Sequence, residues 1–370
     1  VTYRVLFVDD EPRVLDGLRR MLHGQRREWT MAFAPGGTAA LELLEADPYD
    51  VILTDMRMPG MDGAALLTEV ARRYPATTRI VLSGQTDDAA ALRAVPVAHQ
   101  FLMKPCDVDT LREVIARTRE LQELLADPGL RQVAGTVDTL PPVPSTYLAL
   151  GRALGSTSVS VGEIAEVVGR DPALASKLLQ VVNSSFFGQR REIASVVQAC
   201  TLLGTGLIRS IVLARELYSD GVWTRCPLDL VERECEHAIA VAGLARAMQT
   251  EGGRAEMAVA AGLLHDVGKL ILLSRQAEPA MVDRHAEVGA YMLGLWGLPH
   301  GVIEAVAYHH APERVASSGS HVAAAVHVAD ALVHQMRGEQ GVAPDDRCVE
   351  LLGGHAELER FAALASGATR

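Results

Sequence analysis

Apolar residues in the first third of the chain fall into short unbroken runs, each followed by a stretch with helical spacing. Tyr3 to Val8 is such a run, ending in Asp9-Asp10-Glu11-Pro12, after which Val14, Leu15, Leu18, Met21 and Leu22 recur every three or four residues. Further strand-like segments lie at 30–34, 51–54, 80–83 and 99–103, with helical stretches at 38–46, 63–74, 87–95 and 108–125. Val51-Ile52-Leu53 has no polar interruption, as a strand buried on both faces of a parallel sheet requires. Five strands alternating with five helices predict a doubly wound α/β domain.

Beyond residue 130 the strand pattern nearly vanishes and helical periodicity takes over. Asp171-Pro172 joins a capping acid to an N1 proline ahead of Leu174, Leu178, Leu179 and Val182, so a helix starts there. Asn183-Ser184-Ser185 and Gly188 read as its end. Helices are predicted over 193–203, 207–218, 230–248, 257–264, 286–296, 302–310 and 321–334, an all-α bundle. Between the two regions the 108–125 helix overruns what the α/β domain needs. Asp127-Pro128-Gly129 should stop it, and Pro141-Pro142-Val143-Pro144 marks a second rigid passage. The predicted organisation is 1–122 for the α/β domain, 123–137 for a linker helix and connection, and 138–370 for the helical domain.

Composition narrows the function. A chain of 370 residues with 22% charged residues is globular and long enough for two or three domains. A net charge of −11 and 4% aromatic residues argue against nucleic-acid binding. Leu203-Gly204-Thr205, centred in 195–217, could be read as a DNA-binding helix-turn-helix, but Arg209 and Arg215 supply too little basic surface. Cys106, Cys200, Cys226, Cys235 and Cys348 form no CxxC pair and read as reduced thiols. The first residues enter strand-like sequence directly, leaving no room for a signal peptide, and no apolar run approaches a membrane span. A soluble, cytoplasmic protein that makes no membrane contact is expected.

The predicted strand ends carry the candidate chemistry. Strand one delivers Asp9 and Asp10, strand three Asp55, strand four Ser83-Gly84 and strand five Lys104-Pro105. In open α/β sheets that edge binds ligands. Three carboxylates suit a hard cation such as Mg²⁺, a lysine and a hydroxyl can hold phosphate oxygens, and one carboxylate could act as the nucleophile that becomes an aspartyl phosphate. Taken alone, Asp55 would more often be a helix N-cap, Ser83 a strand-end hydroxyl and Phe101 a core residue. Together they resemble the receiver domain of bacterial response regulators, a flavodoxin-like fold. The resemblance implies Asp55 as phosphoacceptor, and Mg²⁺ on Asp9, Asp10, Asp55 and the Arg57 carbonyl. It also implies Ser83 and Lys104 on the phosphoryl group, Phe101 as an aromatic switch, and Met58-Pro59 and Gly63 in the turn after the acceptor. A sensor histidine kinase would be the phosphodonor partner.

In the helical region histidines are the stronger signal. His237 lies in one predicted helix, followed by His265-Asp266-Val267-Gly268-Lys269, His285, His309-His310 and Asp330 within His327-Val328-Ala329-Asp330. Adjacent residues on a helix point about 100° apart, so His265 and Asp266 could both reach one metal, completed by His237, Asp330 and one of His309 or His310. Lys269, one turn on, could meet a phosphate. His23, His99, His300, His321, His334 and His355 read as ordinary polar residues. The pair resembles the HD superfamily of metal-dependent phosphohydrolases. Leu140-Pro141-Pro142-Val143-Pro144, Arg170-Asp171-Pro172-Ala173-Leu174, Val182-Asn183-Ser184-Ser185-Phe186-Phe187-Gly188, Leu202-Leu203-Gly204 and Trp296-Gly297-Leu298-Pro299 resemble the HDOD family, HD-related output modules regarded as interaction domains that have lost catalytic ligands.

The resemblance implies a two-component response regulator that signals through a downstream protein or a homodimer, with no catalysis beyond phosphoryl acceptance and autodephosphorylation. The alternative is a receiver-controlled phosphodiesterase of a cyclic dinucleotide or nucleotide. His237, His265, Asp266, His285, His309, His310 and Asp330 follow the order of the HD-GYP phosphodiesterases, and Fe, Mn or another divalent transition metal would be implied. Ala311-Pro312-Glu313-Arg314 departs from that pattern, lacking the glutamate and the GYP loop.

Overall fold

The computed structural model describes residues 3–84, 94, 97–137, 144–155, 159–184, 192–216, 228–249, 252–339 and 343–368. Its contacts divide the chain into two units: residues 1–139 with 180–190 and 295–297, and residues 140–179 with 191–294 and 298–370.

The first unit is built on β1 (Tyr3–Val8), β2 (Trp29–Ala34), β3 (Val51–Asp55), β4 (Thr78–Ser83) and β5 (Gln100–Met103). All pairings are parallel, in the order β2-β1-β3-β4-β5, the doubly wound topology predicted from the alternation of runs. Side chains alternate between two cores. Leu6, Ile52, Val81 and Phe101 face α2 (Gly37–Ala46) and α3 (Gly63–Arg73) through Leu44, Leu66, Leu67 and Val70. Phe7, Leu53, Ile80 and Leu102 meet Leu15 and Leu18 of α1 (Pro12–Met21) and Leu111 and Ile115 of α4 (Val108–Leu124). Burial on both faces explains why the strands read as unbroken apolar runs. The helix predicted over 87–95 lies, apart from Ala94, outside the described residues.

The predicted 123–137 connection carries a short helix of its own. Asp127-Pro128-Gly129 was predicted only to stop a helix; α4 does end at Leu124, and the same residues then begin α5 (Pro128–Gly135). The reason is local: Asp127 accepts from the backbone N–H of Gly129 and Leu130, and Pro128 fills the first helical position. The end of α5 is fastened to β4. The fully buried Arg79 donates from Nε to the Val97 carbonyl at 2.7 Å, and its Nη1 and Nη2 each reach the Gly135 carbonyl at 3.4 Å. A Cβ on Gly135 would stand 1.9 Å from the Pro75 carbonyl oxygen, so only glycine permits this approach.

The other described elements are helical, matching the all-α prediction. They are α6 (Pro144–Gly155), α7 (Val161–Val168), α8 (Pro172–Asn183), α9 (Val196–Glu216), α10 (Leu228–Ala247), α11 (Gly252–Leu264) and α12 (Val267–Ser274). After these come α13 (Pro279–Val282), α14 (His285–Leu295), α15 (His300–Tyr308), α16 (Pro312–Ser318), α17 (His321–Met336), α18 (Asp346–Leu351) and α19 (His355–Ala368). Asp171 caps α8 through Ala173 and Leu174, as predicted. Gly204, at φ 68°, breaks α9 where the sequence placed a gap between two helices.

At the centre α10, α11, α15 and α17 pack on one another. Every residue of α17 from Val322 to Val333 is buried, including His327 and Asp330. Polar groups in a helix that is apolar all round need partners there.

No apolar run was expected to approach a membrane span, yet Gly252–Ser274 is long and apolar enough to cross one; it is two helices broken at His265-Asp266 and is mostly buried inside the protein.

Gly268 sets the spacing of α12 against α14, since a Cβ there would lie 1.9 Å from the His285 carbonyl oxygen and 2.8 Å from the Gly289 nitrogen. Gly268→Ala is expected to cost about 1–3 kcal/mol as overpacking, lowering Tm by roughly 2–12 °C. Gly253→Ala, with open space at its Cβ, is the control that should not lose stability in the same melts.

Candidate functional sites

Strand register levels the first unit's carboxyl ends. Val8 pairs with Thr54, Asp55 with Leu82 and Ser83 with Met103, so Asp9, Asp55, Ser83 and Lys104 emerge along one edge. Lys104 Nζ lies 2.7 Å from Asp9 Oδ2 and also bonds Asp55 Oδ1. The other Asp55 oxygen accepts from the Arg57 N–H at 2.6 Å, and Asp9 Oδ1 accepts from the Glu11 N–H at 2.9 Å. Burial alone would lower the Lys104 pKa, but Asp55 and Asp9 outweigh it and hold it above the usual lysine value. Asp10 is exposed beside them, Ser83 is buried, and Phe101 lies in the core that faces α2 and α3. Gly63 closes the turn after Asp55: its N–H donates to the Met56 carbonyl, and a Cβ would stand 2.3 Å from the Asp55 carbonyl.

In the second unit six helices or helix ends deliver buried ligand-type side chains. His237 comes from α10, His265 follows α11, Asp266 precedes α12, His285 opens α14, His309 closes α15 and Asp330 comes from α17. The helix predicted over 257–264 does end at Leu264, and His265-Asp266, treated from the sequence as adjacent helical positions, forms the turn between two helices, with Asp266 at φ −100°, ψ 12°. The turn aims both side chains inward, His265 Nε2 lying 3.3 Å from Asp266 Oδ2. The groups form two clusters rather than one: His237, His265 and Asp330, and Asp266, His285, His309 and His310.

The hydrogen bonds fix which ring nitrogens face inward. Nδ1 of His265, His285 and His309 lies 2.7, 2.9 and 2.7 Å from the carbonyls of Gly262, Val282 and Val306. A carbonyl only accepts, so each Nδ1 carries hydrogen and each Nε2 is the atom open to a proton or a cation. These Nε2 atoms crowd together, His265 lying 3.2 Å from His237 Nε2 and His285 3.3 Å from His309 Nε2. Asp266 Oδ1, 3.0 Å from His285 Nε2, accepts no hydrogen bond from the described residues. Among the described residues, His237 Nδ1 is buried without a partner.

Burial alone would raise both carboxylates. The imidazoles of His265, His285 and His309 hold Asp266 well below the usual range, and His237, His265 and His334 do the same for Asp330. Burial lowers His309 and His237, whereas on His265 Asp266 and Asp330 overcome burial and push it up to about 10. Lys269 Nζ sits 2.6 Å from Asp266 Oδ2 and 3.9 Å from Glu234 Oε2.

Three family models match the chain. Residues 5–116 match the profile of the response regulator receiver domain, 140–281 that of the HDOD domain and 235–334 that of the HD domain. The chain is a receiver-HDOD response regulator.

This response regulator is 36% identical over 180 residues to the hydrogenase transcriptional regulatory protein HoxA of Cupriavidus necator, covering 45% of its own length and 37% of HoxA. It is 33% identical over 162 residues to the DNA-binding transcriptional regulator NtrC of Escherichia coli K12, covering 42% of itself and 34% of NtrC. The chain thus spans well under half the length of these curated relatives. Among solved structures, the MmoQ response regulator from Methylococcus capsulatus covers 60% of the chain at 23% identity, with a TM-score of 0.49 and 98% of that protein matched.

The seven ligand-type residues singled out from the sequence of this response regulator all fall in the two clusters, and Lys269 borders them. The sequence reading missed His334. It was set aside as ordinary, yet its Nε2 lies 3.2 Å from Asp330 Oδ1 and its Nδ1 2.7 Å from Glu339 Oε2. Its spacing of i+4 from Asp330 on one helix was the available signal.

Proposed function

We propose that this response regulator accepts a phosphoryl group on Asp55 and controls an output domain that holds divalent metal and hydrolyses a phosphate ester. The convergence of tautomer-fixed imidazole nitrogens with two buried carboxylates carries the metal reading, because imidazoles whose Nδ1 is engaged by a backbone carbonyl present Nε2 as metal ligands do. In the receiver, Asp9, Asp10, Asp55 and the Arg57 carbonyl would hold Mg²⁺, with Lys104 and Ser83 placed for phosphoryl oxygens. Its donor would be a sensor histidine kinase, in the cytoplasm.

In the output domain, His237, His265 and Asp330 would hold one cation, and Asp266, His285, His309 and His310 another. Imidazole and carboxylate donors without thiolate fit Fe, Mn or a similar divalent metal. Such cations lower the pKa of water and clamp phosphate oxygens. The chain's own contribution is fixed geometry. Asp266 is held ionised by its imidazoles, α17 keeps Asp330 in a dry core, and Lys269 offers an ammonium at the edge of the cluster for a substrate phosphate.

Metal analysis of freshly purified protein tests this reading against a His265→Ala, Asp266→Ala double variant. Stoichiometric transition metal absent from the variant supports it. Protein loaded with Mn²⁺ or Fe²⁺ that leaves cyclic dinucleotides and nucleotides intact would remove the hydrolytic part. A purely protein-binding output would then stand, the reading favoured by Ala311-Pro312-Glu313-Arg314, where α16 follows the histidine pair at once.

Metal uptake should depend on pH. His265, raised to about 10, carries an extra proton at neutral pH that a cation must displace. Apparent affinity is therefore expected to rise with pH by up to about tenfold per unit between pH 6 and 8. Calorimetric titration with Mn²⁺ in two buffers of different ionisation enthalpy should register the released proton, and equal heats in both would contradict the displacement.

A further inference from the structure

His327 belongs to neither cluster, yet it is buried on α17 one turn before Asp330. Its Nδ1 lies 2.7 Å from the His309 carbonyl oxygen, and its Nε2 accepts from the Asp345 N–H at 3.1 Å. A carbonyl only accepts and an amide N–H only donates. One species satisfies both bonds, the neutral ring with hydrogen on Nδ1. The partner carbonyl matters because His309 caps the carboxyl end of α15, where helix carbonyls lack intrahelical donors, and His309 is completely buried.

The His309-His310 turn supplies two of the four members of the Asp266 cluster, while Asp330 belongs to the other. We infer that His327 is a positioning residue for the metal-ligand pair His309-His310, setting it in register with Asp330 through the shared helix α17. This role rests on the metal reading above. The His309 ring is fixed by two linked constraints: its Nδ1 donates to the Val306 carbonyl, and its own carbonyl is held by His327. Loosening the second frees the turn to move its Nε2 relative to Asp266 Oδ1, now 3.6 Å away. The Asp345 N–H, at the N-cap of α18, keeps the His327 ring from rotating out of this role.

Paired amide variants of the full chain separate positioning from simple space filling. The Asn amide in His327→Asn reaches the place of Nδ1 and can still donate to the His309 carbonyl. The longer Gln amide in His327→Gln reaches the place of Nε2 and leaves that carbonyl without its donor. Each protein is titrated with Co²⁺, following the visible absorption bands and the melting temperature, with His237→Ala marking which bands belong to the other cluster. His327→Asn is expected to bind Co²⁺ within about threefold of wild type, and His327→Gln to bind the Asp266-cluster ion about 10–100-fold more weakly with its bands altered. Should His327→Gln not fold, His327→Ala is read in its place. Unchanged Co²⁺ binding in the variant lacking the donor, or equal losses in both amide variants, overturns the positioning role. A wild-type chain that takes up no Co²⁺ removes the metal reading itself, so the two failures are distinguishable.

Discussion

Asp266→Asn is expected to empty the output domain of metal and to make its stability indifferent to chelators. Asp266 reaches ligand atoms of both clusters, with Oδ1 3.0 Å from His285 Nε2 and Oδ2 3.3 Å from His265 Nε2. Losing its charge should weaken metal binding by more than the roughly 10–100-fold typical of an outer-shell change. It also strands the ammonium of Lys269, 2.6 Å away and four-fifths buried. Breaking a buried pair from one side costs about 3–5 kcal/mol, and the retained amide contact places the expected loss near the lower figure, a Tm decrease of roughly 6–12 °C. Wild-type protein should melt lower after EDTA treatment, and the variant should melt alike with and without it. A variant that keeps stoichiometric metal would remove Asp266 from the ligand set.

The second large effect is at the receiver edge. Asp55→Asn is expected to abolish phosphoryl incorporation from a small-molecule donor such as acetyl phosphate, since an amide cannot form the acyl phosphate. The substitution should be well tolerated, because the Asn oxygen can still accept from the Arg57 N–H. Incorporation in wild type should need Mg²⁺ and be cleaved by hydroxylamine. Hydroxylamine-labile phosphate persisting in Asp55→Asn would place the acceptor elsewhere. With both proteins folded, any change of oligomeric state or partner binding that follows phosphodonor in wild type should disappear in the variant.

The receiver fold was legible because its physics is local. Buried parallel strands must be apolar on both faces, so Val51-Ile52-Leu53 announced β3 and the acid after it announced the ligand edge. The all-α character of the output region was equally plain, and so was the set of ligand-type residues. Their partition was not. Chain order cannot say that His309 and His310 join Asp266 rather than His237, because that depends on how α10, α14, α15 and α17 pack. His265 and Asp266 were expected to share a metal as adjacent positions of a helix about 100° apart, but the chain turns there, and the turn brings their side chains together. His334 was missed because a histidine near a helix end usually faces solvent, and its link to Asp330 needs α17 to be buried to that depth. Arg79 escaped notice for a related reason. It sits after Thr77-Thr78, where the sequence reads as a polar lead-in, and β4 in fact begins at Thr78.

The arginine clamp also bears on where this molecule can be cut. The 1–122 span suggested by the sequence would end inside α4 at Gln122, whose amide donates to the Asp50 carbonyl, and would discard α5. The Gly135 carbonyl, an acceptor for both terminal nitrogens of Arg79, would go with it, and a cation buried at the foot of β4 would face solvent or an unfilled hollow. An isolated receiver that ends after Val137 keeps its guanidinium covered; one trimmed to the sheet and its helices carries an open wound beneath the strand that ends at Ser83.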